Sequence, residues 1–237
     1  SLQIVERSNT NIKYNFSQIF RRSSIDLNCK RHMKLFETKS IVPEFCFGCF
    51  KVQIEVFNFL DLIRLAKLFY EIEFGVDLTR KCMIETRPDV GGFYKGFVYC
   101  SSLEQANKVK NKIGLVTKNE IWTSKIKRGC TEYTFKFPGF DAVDDQQSMM
   151  KYPQKWQDKE IAFDKVYSMP PQKTKIETQP GFCLSDILII ERWIDYAKGI
   201  GDETVSAFDM RPIKYADTYN LASQRAEKYS LQKTGNM

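Results

Sequence analysis

The sequence predicts an α+β protein, and three observations favour this class. The segment 50–56, Phe-Lys-Val-Gln-Ile-Glu-Val, alternates strictly between apolar and polar residues, as a half-buried strand does. Apolar residues then recur at helical spacing between Phe59 and Ile72. The chain has 237 residues, 43% of them hydrophobic, which is enough to bury a substantial core in one large domain or two small ones.

The predicted elements between residues 50 and 140 follow one another with short connections. Asn58 and Ser102 are suitable N-caps for two helices, and Gly75 and Gly114 are suitable stops. The elements are strand 50–56, helix 59–73, strand 81–87, strand 94–101, helix 103–113 and a segment at 121–137 that is either a fourth strand or a hairpin turning at Arg128-Gly129. This order is that of the split βαβ, ferredoxin-like fold, an antiparallel sheet with two helices on one face.

Right-handed crossovers in that fold place the first and third strands side by side in the centre of the sheet. The alternation along the strands and the apolar stripes of the helices then define which side chains point into the core. The expected inward residues are Val52, Ile54, Ile84, Val98, Leu62, Leu65, Ala106 and Val109.

Two further regions flank the domain predicted at 50–140. Residues 1–49 are polar and weakly periodic, and we interpret them as an N-terminal arm that carries cysteine and histidine residues. Residues 141–237 begin with acidic residues and a proline-containing stretch, which is typical of a linker. They end in a C-terminal helical region that is expected to pack back on the sheet or on a partner.

Two short chelating steps lie in the N-terminal arm. Cys29-Lys-Arg-His32 and Cys46-Phe-Gly-Cys49 are separated by thirteen residues, and His32 is the only histidine in the chain. Two ligands at positions i and i+3 can bind one metal from a single turn, and the two steps together offer the four N/S ligands that Zn²⁺ prefers. The pattern predicts a zinc site at Cys29, His32, Cys46 and Cys49.

A second arrangement of ligands follows from the predicted topology. Cys46 and Cys49 precede the first strand, Cys82 begins the second and Cys100 ends the third, so their sulfurs could gather at one end of the sheet. Such a set would suit zinc or, alternatively, an iron–sulfur cluster. Buried cysteine is often only a small apolar residue, so a chain without any metal is the third interpretation.

The segment from Lys95 to Ala106, Lys-Gly-Phe-Val-Tyr-Cys-Ser-Ser-Leu-Glu-Gln-Ala, resembles the third strand and second-helix start of RNA-recognition motifs. The resemblance rests on a glycine, two core strand residues and two helix positions: Gly96, Phe97, Val98, Glu104 and Ala106. It implies a sheet on which nucleic-acid bases stack on aromatic residues of the first and third strands. Phe97 and Tyr99 could take that role, whereas the first strand offers no aromatic residue on the same face.

The same sheet face has a second interpretation as a catalytic cluster. Glu55 or Glu85 could act as a base while Lys51 and Arg87 bind an anionic substrate. The chain contains no GxSxG, HExxH or P-loop motif, which favours a binding protein over an enzyme. A non-catalytic subunit of a larger assembly is a further alternative.

The charge distribution favours an anionic partner such as nucleic acid. The net charge is +7; residues 1–50 carry eight basic and four acidic side chains, and residues 101–140 carry eight and three. Basic patches attract phosphate backbones over long range. The predicted phosphate contacts are Arg21, Arg22, Lys30, Arg31, Lys125, Lys127 and Arg128.

The composition also predicts the compartment. No apolar run approaches 18 residues, so we expect no membrane span. Seven cysteines, two of them in a CxxC step, in a chain too long to need disulfide bonds are typical of a reducing environment, which predicts a cytoplasmic location.

Overall fold

The computed structural model of the chain describes residues 17–21, 23, 27–143, 149–167, 181–208 and 216–234. Arg22, one of the predicted phosphate contacts, lies outside the described residues. Within these ranges the chain forms five strands and seven α-helices, which confirms the α+β class.

The strands and helices alternate along the chain, with short 3₁₀ turns between some of them. In chain order they are β1 (Gln18–Arg21), α1 (Cys29–Lys39), α2 (Glu44–Gly48), β2 (Phe50–Val56), α3 (Phe59–Glu71), β3 (Arg80–Ile84), β4 (Tyr94–Cys100), α4 (Leu103–Val116), β5 (Thr123–Arg128), α5 (Gln157–Val166), α6 (Leu184–Gly199) and α7 (Ala216–Thr234). The 3₁₀ turns lie at Glu132–Phe135, Pro138–Asp141, Gln154–Trp156 and Glu203–Ala207.

Both predicted N-caps are present, whereas the predicted stops are not where the helices end: α3 ends at Glu71, before Gly75, and α4 continues past Gly114 to Val116. The Asn58 side chain accepts a hydrogen bond of 2.8 Å from the backbone N–H of Asp61 at the start of α3. The Ser102 hydroxyl accepts one of 3.1 Å from the backbone N–H of Gln105 at the start of α4. Each cap satisfies one of the backbone donors that the first turn of a helix leaves unpaired.

The five strands form one antiparallel sheet in the order β1-β3-β4-β2-β5. β2 and β4 are central neighbours, with Val52 opposite Val98 and Ile54 opposite Gly96. The segment after β5 does not return as a hairpin strand but forms two 3₁₀ turns, because Gly129 and Pro138 interrupt it.

The sheet has one strand more than the sequence predicts. β1 lies at its edge and pairs with β3, with Ile19 opposite Cys82. The interpretation of residues 1–49 as an arm missed this strand because four residues are too short to show a clear alternation. Ile19 nevertheless joins the core, so the N-terminal region is built into the sheet.

Side chains of α3 and α4 pack with one face of the sheet in a continuous buried cluster, the main core. All of the expected inward residues belong to it: Val52, Ile54, Leu62, Leu65, Ile84, Val98, Ala106 and Val109. Gly96 permits a close approach here, since a Cβ at this position would lie 2.6 Å from Leu65 Cδ2 and 3.1 Å from Phe69 Cζ.

The C-terminal helices pack against the same core. Trp193 of α6 is fully buried and donates a hydrogen bond of 2.9 Å from its indole nitrogen to the carbonyl of Ser17. Arg225 of α7 is buried and donates bonds of 3.0 Å to the carbonyls of Val90 and Gly92, in the turn between β3 and β4. None of the described helices is both long enough and apolar enough to cross a membrane.

A second core lies beside the start of β2 and the end of β5. It joins α1 and α2 to the segment that follows β5, and its buried members are Leu35, Ile41, Val42, Cys46, Tyr133, Phe140, Trp156 and Phe163. Arg31 holds the two ends of this unit together through ion pairs of 2.7 Å to Glu160 and 2.6 Å to Asp164.

Candidate functional site

The side of the sheet turned away from α3 and α4 carries most of the polar strand residues. Because side chains alternate between the two faces, this charged face consists of the odd-numbered positions of β2 to β5. Its members in the strands are Lys51, Gln53, Glu55, Lys81, Met83, Lys95, Phe97, Tyr99, Thr123, Lys125 and Lys127. We include Glu85, which directly follows β3 and pairs with Lys95 of this face. Lysines outnumber carboxylates on it, so its charge is strongly positive.

Glu85 is fully buried and fully paired. It accepts a bond of 3.0 Å from Lys95 Nζ and one of 2.7 Å from Arg87 Nη2. Burial alone would raise the pKa of this carboxyl, but the hydrogen bonds from Arg87 and Lys95 outweigh it and lower the pKa to about 2. A carboxylate that stays ionised at such low pH is a weak base, which disfavours a general-base role.

Glu55 is also neutralised within the face. Lys125 Nζ on the neighbouring strand lies 3.3 Å from its carboxylate, and Gln53 Nε2 donates a bond of 2.6 Å to it. The two acidic residues of the charged face therefore do not present free negative charge to a ligand.

Lys51 and Lys81, by contrast, form no salt bridge with any described residue. Lys51 Nζ donates to the carbonyl of Gly129 at 3.1 Å, and Lys81 Nζ donates to Gln18 Oε1 at 3.1 Å. Their ammonium groups lie 5.5 Å and 5.2 Å from the ring centroid of Phe97. Burial, followed by repulsion from Lys51, lowers the pKa of Lys81 to about 8, and burial also lowers the pKa of Lys51.

The aromatic residues of the third predicted strand lie among these lysines. Phe97 is only 6% exposed, whereas Tyr99 is half-buried. The Lys81 ammonium also lies 5.9 Å from the Tyr99 ring centroid. The Phe97 ring is thus buried close to the Lys51 and Lys81 ammonium groups, and the Tyr99 ring is the more accessible of the two aromatic rings.

Four cysteines interact electrostatically with one another where the charged face meets the second core. Cys29 begins α1, Cys46 lies in α2, Cys49 follows that helix directly and Cys130 follows β5. Cys29 and Cys130 are hydrogen-bonded through their side chains, and Cys29 also interacts electrostatically with Cys46 and Cys49. Burial raises the pKa of Cys46 to about 12 and that of Cys49 to about 11, so these thiols are protonated at neutral pH.

His32 contacts an aromatic ring. Its buried ring stacks on Phe45 with a centroid separation of 5.1 Å, and it lines a groove of about 510 Å³ beside the ends of β3 and β4. Tyr99 and Cys100 line the opposite part of that groove.

The register separates Cys82 from the other cysteines of the second predicted set, whereas Cys100 lies opposite Phe50 and interacts electrostatically with Cys49. Cys82 lies opposite Gly96 in the register of β3 and β4, so it is displaced by four residues, about 13 Å, from Cys100 along the strand. The predicted second strand starts at 81, but the residue opposite Val98 is Arg80 and Cys100 extends beyond it. Both cysteines are buried in the main core, as small apolar residues would be.

Three of the predicted phosphate contacts have structural roles. Arg21 donates to the carbonyls of Phe69 and Tyr70, and Arg31 forms the ion pairs to Glu160 and Asp164 described above. Arg128 is 1% exposed and donates to the carbonyls of three residues, Phe47, Phe140 and Ala142. Lys30 and Lys125 are exposed, and Lys127 is half-buried without a salt bridge to any described residue.

Sequence reasoning missed Lys81 and Cys130. Lys81 was missed because the second predicted strand is short and because the sequence does not show that β1 pairs with its outer edge. Cys130 has no chelating partner near it in the sequence, although the fourth strand of the predicted topology ends beside the start of the first, where Cys49 lies. That neighbourhood was the available signal, and Gly129 N donates a bond of 2.9 Å to the Cys49 carbonyl there.

Among the described residues, no group of three or more His, Cys, Asp or Glu side chains is already placed to hold a metal ion. Comparisons with protein-family models, with curated proteins and with solved structures find no match to this chain.

Proposed function

We propose that this protein binds single-stranded nucleic acid through its charged face and carries a zinc ion as a structural component. The observation that supports the proposal most directly is the charge balance of that face. Glu55 and Glu85 form salt bridges within the face, whereas Lys51, Lys81 and Lys127 form none with a described residue, and Glu132 attracts Lys51 and Lys81 only over a longer distance.

An anionic ligand would relieve the energetic cost of burying lysines that form no salt bridge. Lys51 is 9% exposed, and removing an ammonium from water without an opposing charge is unfavourable. The lowered pKa of Lys81 expresses the same cost. A phosphate near both groups would supply the missing charge, because phosphate contacts dominate the affinity of proteins for nucleic acid.

Base stacking contributes less to this proposal than charge does. Phe97 is 6% exposed, so a base could reach it only after displacement of its surroundings. Tyr99 is more accessible, and stacking on one aromatic ring contributes roughly 1–3 kcal/mol per base. Binding should consequently depend on phosphates and tolerate many sequences.

We also propose that the part of the chain from β2 to β5 is a ferredoxin-like unit extended by β1. Two observations support this assignment: the order β3-β4-β2-β5 of its antiparallel strands, and the common cluster that α3 and α4 form with the sheet. The resemblance of 95–106 to RNA-recognition motifs agrees with the assignment but covers only a dozen residues.

Fluorescence anisotropy with labelled poly-pyrimidine RNA and DNA oligonucleotides tests the binding function. We expect binding at low salt that weakens by about 0.7 log units per log unit of salt for each phosphate neutralised. Lys81→Gln and Lys127→Gln should weaken binding of all sequences alike. Lys118→Gln, which removes an exposed lysine outside the charged face, should leave it unchanged.

The pH dependence of the same assay identifies Lys81 specifically. Its pKa of about 8 means that the free protein loses this positive charge as the pH rises through 8, so affinity should be constant well below pH 8 and fall as the pH rises through it. Lys81→Arg retains its charge and should abolish the fall, provided that circular dichroism shows an unchanged fold. Absence of binding at low salt would refute the proposal and favour the role of an assembly subunit.

A further inference from the structure

The cysteines near the charged face suggest a metal site whose ligands differ from both sets predicted from the sequence. Three separate chain segments contribute them: the first turn of α1, the α2 region and the turn after β5. Cys29 and Cys130 are hydrogen-bonded, although 100 residues separate them in sequence, and Cys130 also interacts electrostatically with Cys46. A fold that brings four thiols together from three segments resembles the way structural zinc sites tie segments to one another.

The backbone around Cys49 is shaped to admit its sulfur. A Cβ on Gly129 would collide with Cys49 Sγ, so only glycine allows the turn after β5 to approach this closely. The Gly129–Cys49 backbone hydrogen bond fixes the two segments, and Cys130 is the next residue. Glycine at 129 therefore keeps Cys49 and Cys130 on adjoining backbone.

Two buried cations stand beside these thiols without a salt bridge to a described residue, although Glu132 attracts Lys51 and Asp141 attracts Arg128 over a longer distance. Lys51 and Arg128 both act electrostatically on Cys49, and both are at least nine-tenths buried. Neither forms a salt bridge with a described residue; they donate only to carbonyls and, for Arg128, to the sulfur of Met149. Buried cations are normally paired, so an anionic group is expected nearby.

We propose that Cys29, Cys46, Cys49 and Cys130 bind one Zn²⁺ as a tetrathiolate site. Four S–H protons leave as four Zn–S bonds form, and the resulting site has a net charge of −2, which Lys51 and Arg128 partly neutralise. The Tyr133 hydroxyl, 3.4 Å from Cys46 Sγ, can then donate its hydrogen bond to the thiolate. Because the protonated thiols are not yet grouped around a common centre, they must turn towards one another as they lose their protons.

This inference deepens the zinc component of the proposed function and does not require nucleic-acid binding. It assigns His32 to the groove and Cys82 and Cys100 to the main core. The roles of His32 and Cys130 are thereby exchanged relative to the prediction from the two chelating steps.

Cobalt and zinc titrations of the full chain, made metal-free with a chelator under reducing conditions, test the ligand set. We expect about one equivalent of Co²⁺ to give the visible absorption of a tetrahedral thiolate site, which Zn²⁺ then abolishes, and zinc to raise the melting temperature. Cys130→Ala and Cys29→Ala should weaken metal binding by more than the roughly 100-fold that loss of a supporting residue costs. His32→Ala and the matched control Cys183→Ser should bind as the wild type does.

Retention of metal by Cys130→Ala together with its loss in His32→Ala would overturn the inference in favour of the Cys29/His32 set. A wild-type chain that shows neither the cobalt spectrum nor a zinc-dependent melting temperature would overturn it altogether. Cys29 is exposed, so its variant should fold even if the Cys130 variant does not. Anisotropy of the same samples shows independently whether nucleic-acid binding stands or falls.

Discussion

The two faces of the sheet are made by the same strands but are stabilised in different ways. The even-numbered face packs aliphatic side chains such as Val52 and Val98 against α3 and α4. The odd-numbered face buries charged side chains to a similar degree: Glu85 is 0% exposed and Lys95 is 2% exposed. The degree of burial therefore does not distinguish the apolar core from the charged face in this protein. The two faces differ in whether buried charges need partners.

The comparison also separates two kinds of sensitivity to mutation. A volume change on the apolar face costs packing energy that neighbouring side chains partly recover by moving. A charge change on the charged face leaves a partner ionised in a dry place, which relaxation cannot repair. Three substitutions test this difference, and they are given in order of expected effect.

The largest effect is expected for Glu85→Gln. The change keeps the shape of the side chain but leaves the buried Lys95 ammonium without its carboxylate, so the free energy of unfolding should fall by about 3–5 kcal/mol. Urea unfolding at pH 7 measures this loss. The control Arg87→Ala removes the exposed partner of the same carboxylate and should cost about 1 kcal/mol or less.

The same pair predicts an acid dependence. The pKa of Glu85 is lowered from 4.5 to about 2, so its stabilising contribution is complete above pH 4.5 and is lost as the pH falls towards 2. The difference in stability between wild type and Glu85→Gln should shrink over that interval. Equal costs for Glu85→Gln and Arg87→Ala at pH 7 would contradict the role assigned to the buried pair.

An intermediate effect is expected for Gly96→Ala on the apolar face. The added methyl group meets Leu65 Cδ2 at 2.6 Å and the Phe69 ring at 3.1 Å, so α3 or these side chains must shift, at a cost of about 1–3 kcal/mol. Thermal unfolding monitored by circular dichroism measures it. Gly114→Ala in α4 is the matched control: nothing lies within 4 Å, and alanine should stabilise the helix by roughly 0.5–1 kcal/mol.

The smallest effect is expected for Lys125→Ala at the rim of the charged face. Lys125 pairs with Glu55 but is 53% exposed, and such surface pairs contribute about 1 kcal/mol or less. Its unfolding midpoint in urea should therefore lie close to that of the wild type. A loss comparable to that of Glu85→Gln would show that the rim and the centre of the charged face are not distinct.

The elements that form the apolar face of the sheet and its two helices could largely be predicted from the sequence. Alternation at 50–56 and the helical stripe after Asn58 report local periodicity, and Asn58 and Ser102 cap their helices through bonds to residues three positions away. The β1 strand was not accessible, because its pairing with β3 depends on residues some 60 positions distant and four residues carry too little pattern. The extent of β3 was overestimated at 87 for a related reason: Glu85 and Arg87 continue the alternation but form a charge pair after the strand ends.

Only part of the candidate site could be predicted from the sequence. Spacing alone selected Cys29, Cys46 and Cys49, because ligands within one turn are close whatever the fold is. Spacing also predicts His32 as a ligand, and its ring stacks on Phe45 in the structure; spacing offers no reason to include Cys130 in the proposed set. The sequence also did not show which charges of the charged face are paired, because Glu55 and Lys125, which form a salt bridge, are 70 residues apart in the chain.

The sequence by itself determined the α+β class, the helix starts, the inward-facing residues and the excess of positive charge, because each of these depends on neighbours within a few positions. Only the tertiary structure decided which charges are paired and which thiols meet. Those contacts depend on the strand register and on the turn at Gly129, where a hydrogen bond and the absence of a Cβ bring Cys130 beside Cys49. The energy of a charge pair changes steeply over a few ångströms. A sequence pattern that does not determine the strand register therefore does not determine the chemistry of the site either.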